Sequence, residues 1–308
     1  MGEKWLAACD IGGTSIKMAF LTADGDIIRK WSIPTDRTDS GAHIVSHISR
    51  SFYNELDSEG LTTANVSAVG VGAPGPADPV TGTISGAVNI GWANGYPLKK
   101  LLEEELELPV FVENDANCAA LGEMWRGAGN GTGDVVCVTL GTGVGGGVVS
   151  KGMIITGVNG AAGEIGHITV MPENGLLCNC GKRGCLETVA SATGIVNLYK
   201  MEGKDAPDAR TVFERAAEGD EAGKRVIDRC AFYLGLAIGN IANVMNPAKV
   251  VVGGGVSEAG DAILIPLERY VRQFTFPRAM DVLSIEKAKL GNDAGVIGAA
   301  YLAKVMTV

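Results

Sequence analysis

Three cysteines crowd into one short stretch of this chain, Cys178-Asn-Cys180-Gly-Lys-Arg-Gly-Cys185-Leu-Glu187, and a histidine precedes them in Gly163-Glu164-Ile-Gly-His167. One His and three Cys make a full donor set for Zn²⁺, which takes four protein ligands in tetrahedral geometry when its role is structural. A redox reading is weaker, because Cys-x-Cys lacks the spacing of the Cys-x-x-Cys dithiol motif. Core cysteines, in turn, rarely cluster in a polar, glycine-rich loop. Cys9, Cys118, Cys137 and Cys230 stand alone in apolar neighbourhoods and read as small core residues. His43 and His47 are four residues apart with no carboxylate or thiol to join them, and read as a solvated helix face.

Glycine supplies the second kind of chemistry. The chain has 44 glycines in 308 residues, roughly twice ordinary usage, with no collagen-like period. They gather after apolar segments: Asp10-Ile-Gly12-Gly13-Thr14, Gly141-Thr142-Gly143, and Gly253-Gly254-Gly255. Such turns let backbone N–H groups converge on an anion. Each cluster alone reads first as a plain hairpin turn; the pair, with Asp10 and Lys17 bracketing the first, shifts the reading toward nucleotide phosphates. Gly141 to Gly146 formally matches G-x-G-x-x-G, but that dinucleotide fingerprint must open a helix, and Gly147-Val-Val-Ser continues as strand-type sequence. No Walker motif is present. Glu113-Asn114-Asp115 closes a short apolar strand and supplies clustered polar groups.

These residues need elements to hold them. The pattern predicts strands at Trp5–Cys9 and Ile16–Leu21 around the first turn, and a third at Ile27–Ile33 after the Asp24-Gly25 hairpin signal. Ile44–Leu56 has helical spacing, and Val66–Val71 is a strand running into the rigid loop Gly72-Ala-Pro-Gly75-Pro76. Pro97–Leu108 reads as a helix with proline at its start, followed by a strand at Val110–Val112 and a helix beginning after Asp115. The pattern then restarts: Val135–Leu140, the second turn, and a returning strand at Gly147–Ser150. Helices are expected over 189–201, 208–217 and 220–245, a buried strand at Lys249–Val252, and a last helix at Ala294–Val305. Strand, glycine turn and strand therefore occur twice, as in two related halves.

Composition bounds the function. At 308 residues the chain is about twice the usual domain of roughly 150. Its 26 basic and 35 acidic residues leave a net charge of −9, which argues against a nucleic-acid partner. The longest apolar run, Ala231 to Met245, is interrupted by two Asn and is short of the ~20 residues of a membrane span. Leu6-Ala-Ala-Cys9 resembles a lipoprotein cleavage site, but the apolar segment before it is too short for a signal peptide. A cytoplasmic protein with no membrane partner is expected.

The two phosphate turns, Asp10-Ile-Gly-Gly-Thr14-x-x-Lys17 and Leu140-Gly-Thr-Gly143, together with the triple glycine, resemble the motifs of the actin-like, RNase H-like ATPase fold. With Glu113-Asn-Asp115, Glu-x-Gly-His and Cys-x-Cys-Gly-x-x-Gly-Cys-x-Glu added, the chain is similar from end to end to the ROK family of bacterial sugar kinases and sugar-responsive repressors. Within the family it most resembles the glucose-phosphorylating members of Gram-positive bacteria, through Asn89 and Trp92 in an Asn-x-x-Trp loop.

That resemblance implies an α/β protein of two domains flanking a cleft that holds ATP. A small N-terminal domain is expected over 1–115, with a helix at about 295–308 packing back onto it, and a larger domain over 116–294 carrying the zinc loop. The implied reaction is ATP-dependent phosphorylation of glucose to glucose 6-phosphate. Asp115 would take the proton of the sugar 6-hydroxyl, unless it only caps the helix behind it. Gly75, Asn89, Asn114, Glu164, His167 and Glu187 are implied sugar contacts, His167 also serving with Cys178, Cys180 and Cys185 on a structural Zn²⁺. Asp10 is implied to orient hydrated Mg²⁺, with Gly12, Gly13, Thr14, Gly141, Thr142 and Gly143 on phosphates and Gly254 and Gly255 on adenosine. Lys17 is either a phosphate contact or a structural residue. A homodimer is implied by family habit alone. The alternatives are an N-acetylglucosamine, N-acetylmannosamine or other hexose kinase, a polyphosphate donor, and a sugar-sensing repressor. The repressor needs an N-terminal DNA-binding domain, for which a phosphate turn at Asp10 leaves no room.

Overall fold

The computed structural model describes residues 4–87 and 89–307. The chain opens with β1 (Trp5–Ile11), β2 (Ser15–Leu21), β3 (Ile27–Pro34), α1 (Ile44–Ser58), β4 (Val66–Ala73), α2 (Leu98–Leu106), β5 (Val110–Asn114) and α3 (Asp115–Trp125). It continues through β6 (Val135–Leu140), β7 (Val144–Ser150), β8 (Met153–Ile154), α4 (Glu187–Ala190), α5 (Ala192–Met201), α6 (Ala209–Ala217) and α7 (Glu221–Met245). It ends with β9 (Lys249–Gly253), α8 (Asp261–Phe274), α9 (Pro277–Met280), β10 (Ser284–Lys287) and α10 (Ala294–Met306).

Two compact units result. The first takes the chain up to Gly127, Met153–Ala162 and the chain from Asn292 onward; the second takes Ala128–Gly152 and Gly163–Gly291. The boundary thus falls after α3, where the sequence reading put it at 115. The reason is packing: α3 crosses α10 at two glycines, and a Cβ on Gly122 or Gly298 would run into the backbone of Ala294 or Cys118. Helix and partner cannot be assigned to different units. The final residue of the expected C-terminal helix lies outside the described residues.

In the first unit the strand order is β3-β2-β1-β4-β5. β1 to β3 form an antiparallel meander, whereas β4 runs parallel to β1 and β5 parallel to β4. β1 and β4 are buried almost throughout, as central strands covered on both faces must be. β3 is the edge, and its Arg29 and Lys30 guard it from further pairing. The core gathers Ile11, Phe20, Ile48, Phe52, Val71 and Leu102 from the sheet, α1 and α2.

The second unit repeats the plan, with order β10-β9-β6-β7 among its own strands. β6 and β7 are antiparallel across the glycine turn, and β9 and β10 run parallel beside β6. Its core joins Val136, Val138, Leu234, Ile238, Val250 and Leu267 from the sheet, α7 and α8. Cys9, Cys118, Cys137 and Cys230 are buried and free of disulfides. Among the described residues no helix is long and apolar enough to cross a membrane.

Several elements differ at their edges from the sequence reading. α2 starts at Leu98, with Pro97 as its cap rather than its first residue, and stops at Leu106 because Glu107 turns left-handed at φ 53°. The single helix expected over 189–201 is broken at Ser191, whose extended backbone and side chain cap α5 by accepting from Gly194 N. The sequence reading also assigned no element to α8, α9 or β10.

Candidate functional site

In the first unit the turn between β1 and β2 is closed by Gly12 N donating to Ser15 O at 3.1 Å. It is fastened to the end of β3: Thr35 Oγ1 donates to Gly12 O at 2.7 Å and Thr35 N to Thr14 O at 3.0 Å. Asp10 and Lys17 are register partners on β1 and β2, with Nζ 3.7 Å from Oδ2. Burial raises the Asp10 carboxyl above its ordinary range, Lys17 draws it down, and the charge of Asp115 pushes it up. The structure therefore brings Asp10, Lys17 and Asp115 within electrostatic reach.

Asp115 is the first residue of α3, and its Oδ1 accepts from Ala116 N at 2.8 Å. The helix begins one residue before the sequence reading placed it, so the cap is Asn114: its Oδ1 accepts from Ala116 N and Asn117 N. Asn114 Nδ2 donates to Gly75 O at 3.1 Å, joining two expected sugar contacts. A carboxylate in the first turn is favoured as the anion by the helix dipole. Behind it lies Glu113, 4% exposed, whose Oε1 accepts from Asn114 N and Asn117 Nδ2 at 2.8 and 3.0 Å. Burial raises its carboxyl, and these two donors partly offset the rise. Asn89 is exposed on its loop. Trp92 turns inward, stacks on Tyr96 at 4.3 Å between ring centroids, and donates Nε1 to Gly41 O. Its place is the core of this unit.

In the second unit the turn after β6 is held by Gly141 N donating to Gly143 O at 2.9 Å. Three further bonds come from the segment beginning α4 and α5: Val144 N donates to Glu187 Oε2 at 3.1 Å, Ala192 N to Gly141 O at 2.8 Å, and Thr193 Oγ1 to Thr142 O at 2.9 Å. Gly254, at φ 83°, presses on the same turn; a Cβ there would lie 2.5 Å from Leu140 O, so only glycine fits. The second and third glycine clusters are thus adjacent. Beside them a cavity of about 430 Å³ is lined by Thr142, Gly143, Cys178, Glu187, Ser191 and Asn197, among others.

The donor atoms of His167, Cys178, Cys180 and Cys185 all lie within 4.8 Å of one another. Cys178 Sγ is 3.7 Å from His167 Nδ1, and Cys180 Sγ is 3.6 Å from Cys185 Sγ. A tetrahedral zinc with bonds of ~2.3 Å needs donors about 3.8 Å apart, so the four residues fit a structural zinc. The electrostatics agree. Burial pushes the Cys185 thiol up to about 12 and raises Cys178, whereas the backbone N–H of Lys182 pulls exposed Cys180 down. Zinc binds cysteine as thiolate, and a bound cation would offset the rise that burial gives Cys178 and Cys185. His167 keeps Nε2 on its other side, 3.9 Å from Glu164 Oε2.

Sequence reasoning did not find Thr35, Ser191 or Thr193. The only signal was Ser191 before Ala192-Thr193-Gly194, a cap residue placed ahead of a helical pattern.

Two α/β units, each with a strand–glycine-turn–strand cradle followed by a parallel strand, define the actin-like ATPase fold. The chain belongs to the ROK family: the family model matches residues 6–306. It is 50% identical to a glucokinase of Halalkalibacterium halodurans, over 99% of this chain and 96% of that protein. A ROK hexokinase structure from Thermus thermophilus superposes with a TM-score of 0.86 at 31% identity, covering 98% of each chain. A ROK glucokinase of Streptomyces griseus, solved in complex with glucose and AMPPNP, gives a TM-score of 0.75 at 35% identity, over 98% of this chain and 99% of that one.

Proposed function

We propose that this chain is a glucokinase, which transfers the γ-phosphoryl group of ATP to the 6-hydroxyl of glucose. The observation that carries the reading is the 50% identity to a glucokinase along the whole chain. The site residues support it. Phosphoryl transfer needs an in-line acceptor, neutralised phosphate charge and a group to take the hydroxyl proton. Asp115 is assigned that proton: its place at the start of α3 favours the ionised form, and an ionised carboxylate can accept.

Gly12, Gly13 and Thr14 of the first unit and Gly141, Thr142 and Gly143 of the second are assigned to the donor's phosphates, with Gly254 and Gly255 toward adenosine. Lys17 already spends Nζ on Asn292 O at 2.9 Å and on Asp10, which supports its structural reading. Mg²⁺ neutralises developing charge on the phosphates when it accompanies the nucleotide, and Asp10 is the carboxylate assigned to orient the hydrated ion. Asn89, Asn114, Gly75, Glu164, His167 and Glu187 are assigned to the sugar. Fixed carboxylates and amides suit a polyhydroxyl ligand, because charge-assisted hydrogen bonds are roughly twice as strong as neutral ones. His167 offers Nδ1 to the cysteine cluster and leaves Nε2 for a hydroxyl. A cytoplasmic homodimer is part of the same reading.

The test is formation of the sugar phosphate from glucose, mannose, fructose, N-acetylglucosamine and N-acetylmannosamine in parallel, with ATP and then polyphosphate as donor. Glucose with ATP is expected to give the highest kcat/KM. A higher value for an N-acetylated sugar, or for polyphosphate, overturns the assignment.

A further inference from the structure

We infer that Glu187 is a positioning residue for the second glycine turn, in addition to its proposed contact with the sugar. This rests on the reading that the turn receives the donor's phosphates.

Glu187 opens α4 two residues after the metal-ligating Cys185. Its Oε2 accepts from Val144 N, the first N–H of β7 after the turn. The same oxygen occupies the space beside Gly143, where a Cβ would lie 2.3 Å from it. Its other oxygen lies 3.7 Å from Cys178 Sγ. One carboxylate therefore touches the metal cluster with one oxygen and the phosphate turn with the other.

The segment that begins at Glu187 grips the turn again further on. Ala192 N holds Gly141 O, and Thr193 Oγ1 holds Thr142 O. Ser191, which caps α5, donates back to Glu187 O at 2.7 Å. Gly141 O, Thr142 O and Val144 N of the turn are thus each bonded to a residue of 187–193. Backbone groups that bind an anion act well only if they are fixed before it arrives. Val144 is buried, so loss of its acceptor leaves an N–H that must find a new partner by moving the turn. Order in the cysteine loop is thereby passed to the phosphate contacts through side chain and backbone alike.

A residue that only binds sugar would leave nucleotide binding untouched. Binding of AMPPNP with Mg²⁺, measured by calorimetry without sugar, and of glucose without nucleotide, separates the two roles. For Glu187→Ala, AMPPNP affinity is expected to fall about tenfold, along with glucose affinity. Glu187→Gln keeps a carbonyl that accepts from Val144 N, and should restore AMPPNP binding to within about twofold while glucose binding stays weak. Thr193→Val removes the bond to Thr142 O without touching sugar or metal donors; it should weaken AMPPNP and leave glucose unchanged. It also carries the test if Glu187→Ala loses its metal or fails to fold. Unchanged AMPPNP affinity in Glu187→Ala or in Thr193→Val, or an equal loss in Ala and Gln at position 187, overturns the inference. Failure of the unaltered protein to bind AMPPNP overturns instead the proposed function.

Discussion

Lys17 and Asp10 face one another across the β1–β2 ladder as register partners, and Lys17 Nζ spans from Asp10 Oδ2, 3.7 Å away, to Asn292 O, 2.9 Å away. The lysine thus ties the first strand pair to the chain just ahead of α10. It also keeps a buried carboxylate, already pushed upward by burial and by Asp115, from rising further.

The pH dependence of Lys17→Met follows. A carboxyl whose folded pKa is raised contributes stability that is complete below its unfolded pKa and is lost as pH rises through the folded value. Removing Lys17 raises Asp10 further and deepens that loss. The melting temperature of Lys17→Met should therefore fall further below that of the unaltered protein at about pH 8 than at about pH 4. An offset equal at both pH values would show that only the bond to Asn292 O matters.

Glu113 obeys the same sign, with burial as the first cause of its raised carboxyl. Glu113→Gln keeps a carbonyl for Asn114 N and Asn117 Nδ2 and cannot ionise. It should match the unaltered protein in melting temperature at about pH 4 and exceed it at about pH 8. A lower melting temperature at the higher pH would show that Glu113 is needed as the anion.

Asp115→Asn should abolish turnover and leave glucose binding within about tenfold, or roughly 1.4 kcal/mol. Asparagine cannot take the hydroxyl proton but can still accept from Ala116 N as Asp115 does. Single-turnover assay and calorimetry on one preparation decide it; near-normal turnover removes Asp115 as the base.

Purified protein is expected to carry one zinc per chain, measured by atomic absorption. Cys180 is the exposed member of the four, so Cys180→Ser should disturb packing least while losing the metal, the activity and several degrees of melting temperature. Full activity in a metal-free preparation would separate the cysteine loop from catalysis.

Much of this site was legible because its chemistry is local in sequence. A strand running into Gly-Gly-Thr or Gly-Thr-Gly and out as another strand can be read without tertiary information, and β7 directly after Gly143 removes the helix that a dinucleotide fingerprint demands. The four candidate metal donors are likewise close in sequence and converge. What escaped depends on distant partners. Glu187 and Val144 are 43 positions apart, and no pattern at either end announces their bond. α8 carries Pro266 within it, and β10 is four half-buried residues including Glu286 and Lys287, so neither shows the periodicity of its type. The cap of α3 was misplaced by one residue because Asn114 and Asp115 are both good caps and only the backbone angles decide between them.

The crossing of α3 and α10 bears on how the molecule is made. Domains emerging from the ribosome generally fold from the N-terminus onward. Here the first unit is the earliest to be synthesised and the last to be completed, because α10 ends only at Met306. Until those final turns are released, α3 lacks its partner and Asp115 its support, so a nascent chain stalled before α10 would hold a finished second unit and an unfinished first.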